Sequence, residues 1–218
     1  MKKAIIFDMD GLLIDSEPIW REVEVKVFNE HGVTLKETDC LETTGLRIEE
    51  VVEHWSNKYP EMNLDINSIA QQIIKEVIAE IKLKGEPLSG VFSTLDIVKG
   101  MDVQVALASS SSFEIIDTVI DKFNIRSYFD VVYSAEGEKF GKPHPAVYLT
   151  TAQKLNVSPQ DCVAIEDSLN GVIAAKAAKM KCIAIPDKMQ SQKKQFYIAD
   201  MILNSLEELE CTLLENII

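Results

Sequence analysis

The chain is 218 residues long, which is more than an average single domain and enough to bury a substantial core. Its formal net charge is −13, from 22 basic and 35 acidic residues. It therefore lacks the positive surface that nucleic acid or an anionic membrane would bind, and we expect neither as a partner. Hydrophobic residues make up 46% of the chain and charged residues 26%, a composition that excludes a mostly disordered protein.

The cysteines and the N-terminal segment indicate an intracellular chain. Cys40, Cys162, Cys182 and Cys211 are scattered, with no C-x-x-C spacing and no histidine cluster, which argues against a zinc site. The first apolar run ends at Asp8, so it is too short for a signal peptide or a membrane span. We expect reduced thiols, a cytoplasmic location and, as the simplest case, a monomer.

Six short apolar runs have the length of strands. They are, in chain order, AIIF (4–7), VQVALA (103–108), DVVYS (130–134), CVAI (162–165), CIAIP (182–186) and MIL (201–203). Segments with helical periodicity lie between the later runs, at 113–123, 146–155 and 171–178. This alternation predicts the α/β class, with a Rossmann-like doubly wound parallel sheet that helices cover on both faces.

The segment 17–87 departs from this alternation, because it contains no convincing strand. Its amphipathic stretches are 19–30, 48–58 and 66–83. We predict an α-helical cap domain inserted after the first strand, with a core domain formed by 1–16 and 88–218. The turn-forming segments DSEP (15–18) and KGEPLSG (84–90) are the predicted hinges between the two.

Polar side chains follow several of the predicted strands, at the edge where open α/β sheets bind their ligands. They are Asp8 and Asp10 after the first strand, Ser109 and Ser110 after the second, Glu166 and Asp167 after CVAI, and Lys142 in the GKPHP segment. We expect these side chains to converge on one site.

These residue types suit phosphoryl transfer. Carboxylates alone would repel a phosphate, but Mg²⁺ accepts one or two carboxylates, water and substrate oxygens as ligands. With Mg²⁺ and Lys142 present, the site can neutralise and position a phosphoryl group. One aspartate can attack phosphorus and form an aspartyl-phosphate, while a carboxyl two residues away can move the proton.

The same motifs resemble those of the haloacid dehalogenase-like hydrolase superfamily. They are Asp8-Met9-Asp10-Gly11, Ser109 at the end of a strand, Lys142 in GKPHP, and Glu166-Asp167 in IEDSLNG, in that order. The likeness covers nearly the whole chain and is greatest to the sugar-phosphatase and β-phosphoglucomutase branch. It implies a Mg²⁺-dependent enzyme that acts on a small phosphorylated metabolite.

The resemblance also implies a role for each matched residue. Asp8 would be the nucleophile and Asp10 the general acid and base. Ser109, with the backbone N–H of Ser110, would hold a phosphoryl oxygen, and Lys142 would bridge the phosphoryl group and Asp8.

For the metal, the resemblance implies a set of oxygen ligands at the same edge. Mg²⁺ would bind the Asp8 side chain, the Asp10 backbone carbonyl and Asp167. Glu166 would lie next to the ion, either as a ligand or as a group that orients bound water.

Arg47, in TTGLRIEE, has two interpretations. It can begin a helix and pair with Glu50. Alternatively, the cap lowers it over the site, where its planar guanidinium binds the anionic end of the substrate. The family's cap loop carries a comparable Gly-x-x-Arg element, so both interpretations remain open.

The reaction catalysed also has alternatives. Mutases of this branch carry a histidine ten residues after the acid/base aspartate, whereas this chain has Trp20 there. The segments DSEPIW and GLRIEEVVEHW resemble hexitol and 2-deoxyglucose-6-phosphate phosphatases. We therefore favour a sugar or polyol phosphate phosphatase over a β-phosphoglucomutase-type mutase. A phospho-acceptor signalling or binding module is a further alternative, which the inserted cap disfavours.

Overall fold

A computed structural model of the chain describes residues 2–187 and 193–217. A six-stranded sheet forms its centre, with the order β3-β2-β1-β4-β5-β6 and parallel pairing throughout. The strands are β1 (Ala4–Phe7), β2 (Gln104–Ser109), β3 (Val131–Ser134), β4 (Cys162–Glu166), β5 (Lys181–Ala184) and β6 (Met201–Ile202). The predicted α/β class and its Rossmann-like parallel sheet are confirmed.

Eight α-helices accompany the sheet within the described residues. They are α1 (Glu17–Glu30), α2 (Ile48–Lys58), α3 (Ile66–Lys84), α4 (Val91–Lys99), α5 (Phe113–Phe123), α6 (Ala146–Leu155), α7 (Leu169–Ala177) and α8 (Cys211–Ile217). The sequence predicted all of them except α4 and α8. In 2–187 and 193–217, no helix combines the length and apolar character that crossing a bilayer requires.

Strand β1 lies at the centre of the sheet because its side chains are apolar on both faces. All four of its residues are buried, and it pairs with β2 on one side and β4 on the other. Ile5 and Phe7 enter the core on one face, and Ala4 and Ile6 enter the core on the other. Asp8, the next residue, is therefore placed at the edge where β2 and β4 also end.

Helices cover both faces of this sheet, as a doubly wound fold requires. Leu95 of α4 and Ile115 of α5 belong to the core on the Phe7 face. Val147 of α6 and Val172 of α7 belong to the core on the opposite face. The predicted two helical layers are confirmed.

Helices α1, α2 and α3 occupy the segment predicted to be the cap. Trp55 packs edge-on against Phe28, with 6.3 Å between ring centroids, and both side chains are buried. Lys122 of α5 donates to the carbonyls of Ile81 at 2.9 Å and Lys82 at 3.0 Å, in the last turn of α3. The helices thus contact the rest of the chain, while the division into core (1–16 and 88–218) and cap (17–87) stays a prediction.

Candidate active site

Lys142 lies at the centre of the site and joins two carboxylates. Its Nζ is 2.6 Å from Asp8 Oδ1 and 2.6 Å from Glu166 Oε1, and the lysine is 2% exposed. A charge buried to this degree is tolerated only when it is paired. The paired charges fix the lysine ammonium beside Asp8, the carboxylate predicted to act as nucleophile.

Glu166 is held in turn by Tyr148 of α6, the helix before β4, and by Ser168 at the start of α7, the helix after it. The Tyr148 hydroxyl of α6 donates to Glu166 Oε1, and the Ser168 hydroxyl donates to Oε2 at 3.3 Å. Ser168 also caps α7 by accepting the N–H of Gly171 at 3.1 Å. A Cβ at Gly171 would lie 2.0 Å from the Glu166 carboxyl, so only glycine permits this approach. These contacts direct Glu166 at Lys142.

Asp8, Glu166 and Asp167 form a cluster of oxygen donors. Each offers one carboxylate oxygen, and these oxygens lie within 4.8 Å of one another. Asp167 Oδ2 is buried and has no hydrogen-bond partner in the described part of the chain. An oxygen in that position is costly unless something satisfies it, and a hard divalent cation would do so. The cluster therefore fits the predicted Mg²⁺.

Electrostatics in this cluster also favour a cation. Burial raises the pKa of Asp8 to about 8, and the negative charges of Glu166 and Asp10 raise it as well. Together these effects outweigh Lys142, which lowers the pKa. Burial, followed by the charge of Asp8, raises the pKa of Asp167 well above its usual value. Adding positive charge here would favour the ionised carboxylates that nucleophilic attack and metal binding require.

Asp10 has a different environment, because four donors surround its carboxylate. Ser16 Oγ donates to Oδ1 at 2.8 Å and Trp20 Nε1 donates to the same oxygen at 2.9 Å. Ser111 Oγ donates to Oδ2 at 2.7 Å and Ser109 Oγ at 3.3 Å. The Asp10 carboxylate lies outside the cluster of three acids, which leaves its backbone carbonyl for the predicted metal contact.

The serines that follow β2 make different contacts. Ser109 Oγ lies against Asp10 and accepts the N–H of Ser111 at 3.0 Å, and Ser110 Oγ donates to the Gly45 carbonyl at 2.8 Å. Ser112 caps α5 by accepting the N–H of Ile115. Ser109 and Ser110 both line the cavity that contains Asp8 and Lys142.

Comparison with known proteins identifies the family. The profile of the haloacid dehalogenase-like hydrolases matches residues 5–185, most of the chain. This chain belongs to the haloacid dehalogenase-like hydrolase family. It is 41% identical to hexitol phosphatase B of Escherichia coli (strain K12) over 207 residues, which cover 94% of this chain and 93% of that protein.

Two further comparisons concern the activity and the fold within this family. A phosphorylated carbohydrates phosphatase of Thermotoga maritima is 34% identical over 187 residues, which cover 83% of each protein. A β-phosphoglucomutase of Clostridium difficile has a TM-score of 0.88 over 99% of this chain and 96% of that one, at 23% identity. The second likeness shows the fold alone. The phosphatase relatives and the family together identify this haloacid dehalogenase-like hydrolase as a phosphatase.

The structure does not bring Arg47 into the cavity. Its guanidinium donates to Glu50 Oε1 at 2.7 Å and to the Glu138 carbonyl at 2.8 Å. Glu50 Oε1 also accepts the N–H of Gly141 at 2.9 Å. The predicted pairing with Glu50 is confirmed, and the guanidinium is turned to the loop that precedes Lys142. We call Arg47 and Glu50 the cap latch.

Sequence reasoning missed several residues of this haloacid dehalogenase-like site. They are Ser16, Trp20 and Ser111, which donate to Asp10, and Tyr148, which donates to Glu166. Ser16 precedes α1 and Trp20 lies on its first turn, four residues later, so the i, i+4 spacing could have indicated a shared face. No local signal marks Tyr148, because its partner is brought near only by the fold.

Proposed function

We propose that this phosphatase hydrolyses a small sugar or polyol phosphate, in the presence of Mg²⁺, through an aspartyl-phosphate on Asp8. The observation that carries the proposal is the Lys142–Asp8 contact of 2.6 Å beside the unpartnered Asp167 oxygen. A fixed cation and a buried oxygen cluster beside Asp8 support its role as the nucleophile in this proposal. The names of the hexitol and phosphorylated carbohydrate phosphatases support the substrate class.

In this mechanism, the reaction has two displacements at phosphorus. An Asp8 oxygen forms the first O–P bond as the bond to the leaving oxygen breaks, and Asp10 gives that oxygen a proton. Asp10 then takes a proton from water, whose oxygen attacks phosphorus and releases Asp8 with inorganic phosphate. Lys142 balances the negative charge on Asp8 and the phosphoryl group in both steps.

The remaining site residues hold the reacting groups. Ser109 and the backbone N–H of Ser110 hold a phosphoryl oxygen in this proposal. Asp8, Asp167, the Asp10 carbonyl and Glu166 would hold Mg²⁺, directly or through water. When bound, the ion supplies positive charge that neutralises the phosphoryl oxygens. Arg47 has no substrate contact in the proposal, since it does not line the cavity and its two Nη atoms bind Glu50 and the Glu138 carbonyl.

Hydrolysis is favoured over phosphoryl transfer to a second sugar by the environment of Asp10. Trp20 stands where the mutases of this branch carry a histidine, and its indole N–H binds Asp10 Oδ1. The solved mutase supplies evidence for the fold alone at its level of identity. A phospho-acceptor signalling module also combines aspartates, a lysine and Mg²⁺, so these residues do not exclude it. The helical insertion that contains α1, α2 and α3 disfavours it, because such modules lack one.

The test is phosphate release from a panel of hexose, deoxyhexose and polyol phosphates with Mg²⁺. Conversion of β-glucose 1-phosphate to glucose 6-phosphate is followed in parallel. We expect rapid phosphate release from one or a few members, loss of release in EDTA, and recovery when Mg²⁺ is added back. Isomerisation without release would establish the mutase, and full activity in the chelator would remove the metal from the mechanism.

A further inference from the structure

Helix α1 contributes a row of residues, three of them charged, to the cavity that contains Asp8 and Asp10. Glu17, Trp20, Arg21 and Glu24 all line the cavity, at spacings that place them on one helix face. Arg21 is 6% exposed and Glu24 is 7% exposed. Burying charged side chains to this degree is expensive unless they have partners. We therefore expect Arg21 and Glu24 to have polar partners in this cavity.

Both Arg21 and Glu24 retain polar atoms without partners. Glu24 Oε2 and Arg21 Nε are buried and make no hydrogen bond within the described residues. One is an acceptor and the other a donor, and a hydroxyl group can complement each of them. Buried polar atoms are nearly always paired, so an unpaired donor and acceptor in a cavity wall are suited to a ligand.

The charge of the cavity wall limits which ligand this is. The cations among the described lining residues are Arg21 and Lys142. Lys142 is held by Asp8 and Glu166, and Arg21 Nη1 lies 3.2 Å from Glu17. Arg47, the remaining candidate, is engaged in the cap latch. Among the described residues that line the cavity, a second anionic group on the substrate would therefore find no unpaired cation to bind.

Acidic residues reinforce this exclusion. Glu49 and Glu136 also line the cavity, in addition to Glu17 and Glu24. An anion placed among them would be desolvated and repelled, whereas a neutral hydroxyl can donate to a carboxylate. The part of the cavity that these acidic residues line is thus suited to uncharged, hydroxyl-rich groups.

We propose that Glu24, together with Arg21, binds the hydroxyl groups of an uncharged polyhydroxylated leaving group, and that substrates with a second phosphate or a carboxylate are rejected. This inference rests on the proposed function and deepens it. Glu24 accepts a hydrogen bond from one hydroxyl through Oε2, and Arg21 donates to a hydroxyl oxygen through Nε. Glu24 is then a specificity residue that takes no part in the chemistry at phosphorus.

The experiment compares Glu24→Leu and Glu24→Gln with Glu22→Gln in the full-length Mg²⁺-loaded enzyme. Glu22 lies on the same helix with an exposed side chain that pairs with Lys84, so it is the matched control. The substrates are a hexitol 6-phosphate and p-nitrophenyl phosphate, which lacks hydroxyl groups. Glu24→Gln, which keeps the side chain's shape, guards against a folding defect, and thermal unfolding is measured for each variant.

We expect Glu24→Leu to lower kcat/KM for the hexitol phosphate by about 100-fold or more, because a substrate hydroxyl loses the carboxylate that accepts its hydrogen bond. The loss for p-nitrophenyl phosphate is expected to stay below about 3-fold, since its leaving group makes no such bond. Glu24→Gln is expected to fall between the wild type and Glu24→Leu, and Glu22→Gln to match the wild type. A hexose bisphosphate and a phosphorylated sugar acid are expected to be poor substrates of the wild type.

Other outcomes would overturn the inference in distinguishable ways. Equal losses on both substrates would mean that Glu24 supports the helix and not the leaving group. No loss on the hexitol phosphate, or efficient turnover of the bisphosphate, would also overturn it while leaving the proposed function intact. If p-nitrophenyl phosphate alone were hydrolysed and no sugar or polyol phosphate were, the proposed function and the inference would fall together.

Discussion

At the scale of single residues, the site separates two aspartates that the sequence places only two positions apart. Asp8 is buried against Lys142 at 2.6 Å, whereas Asp10 accepts hydrogen bonds from hydroxyl and indole donors. In the proposed mechanism, the first environment fixes the nucleophile beside a cation, and the second surrounds the proton-transfer group with neutral donors. The different roles follow from the neighbours and not from the side chain itself.

Asp8→Asn tests the first of these roles. The amide has the shape of the carboxylate but lacks the anionic oxygen that would attack phosphorus, so we expect phosphate release to fall by at least about 1,000-fold. Lys142 keeps its contact with Glu166, so thermal unfolding should remain cooperative. Asp117→Asn, at an exposed partner of Arg126, is the control that should keep full activity. Retention of a tenth of the activity by Asp8→Asn would disprove the nucleophile assignment.

The buried Glu24 carboxyl should make the stability of the protein depend on pH. Burial raises its pKa to about 7, although the Cys40 thiol and Arg21 beside it have a lowering effect, and Glu17 also faces it. The folded state therefore keeps a proton that the unfolded chain releases near pH 4.5, the group's ordinary pKa. This contribution to stability is present below pH 4.5 and is lost as the pH rises through about 7.

Glu24→Gln cannot titrate, so its free energy of unfolding should decrease less than that of the wild type across this pH range. Urea unfolding at several pH values between 4.5 and 8 measures the difference, with Glu22→Gln as the exposed control. Parallel curves for the wild type and Glu24→Gln would show that Glu24 ionises at its ordinary pKa in the folded protein.

At the scale of elements, the close approach between β4 and α7 positions Glu166, the carboxylate that holds Lys142. The N-terminal turn of α7 carries Gly171 against the Glu166 carboxyl at the end of β4, and Glu166 holds Lys142. Only a residue without a side chain leaves room for that carboxyl. An element boundary therefore controls the position of a charge at the active site.

Gly171→Ala should displace Glu166 and, with it, Lys142. We expect a loss of about 1–3 kcal/mol in the free energy of unfolding from overpacking, together with a clear fall in kcat. Gly100→Ala is the matched control, because a Cβ there would meet only the Ile97 carbonyl at 3.4 Å and Asp96 at 3.7 Å. Its stability should change by less than about 1 kcal/mol. Wild-type activity in Gly171→Ala would mean that catalysis does not depend on the position of Glu166.

The sequence predicted most of these elements because their patterns are local. The four residues of β1 are buried on both faces, and a continuous apolar run indicates such a strand directly. Helix α4 was missed because it is short and follows a hinge segment that itself gives a turn signal. The β5 prediction extended to residue 186, but β5 ends at Ala184. Apolar character continues past that end, so the pattern alone could not locate it.

The site was predicted only in part, for a related reason. Asp8, Lys142 and Asp167 could be found from motifs and their strand-end positions. The Trp20 contact with Asp10, the Tyr148 contact with Glu166 and the turn of Arg47 to the loop before Lys142 each join different segments of the fold. Their separations of 10, 18 and 91 residues extend beyond a single helix or strand, so they leave no periodic signal in a single sequence.

At the scale of the whole molecule, the cap latch connects two distant parts of the fold. Arg47, at the start of α2, donates to the Glu138 carbonyl, while Glu50 accepts the N–H of Gly141, the residue before Lys142. The start of α2, which lines the cavity, is thereby joined to the loop that carries Lys142. We therefore expect the position of α2 at the cavity and the position of Lys142 to be coupled.

Arg47→Lys tests this coupling, because a lysine ammonium cannot reproduce the planar fork that bonds Glu50 and a backbone carbonyl together. We expect kcat/KM to fall by about 10- to 100-fold, equally for a hexitol phosphate and for p-nitrophenyl phosphate, since both substrates need Lys142 in place. Lys58→Ala, on the same helix with Glu42 as its partner, should behave as the wild type. A loss confined to substrates with a second anionic group would instead establish direct binding of that group by Arg47, and the latch would then have no part in catalysis.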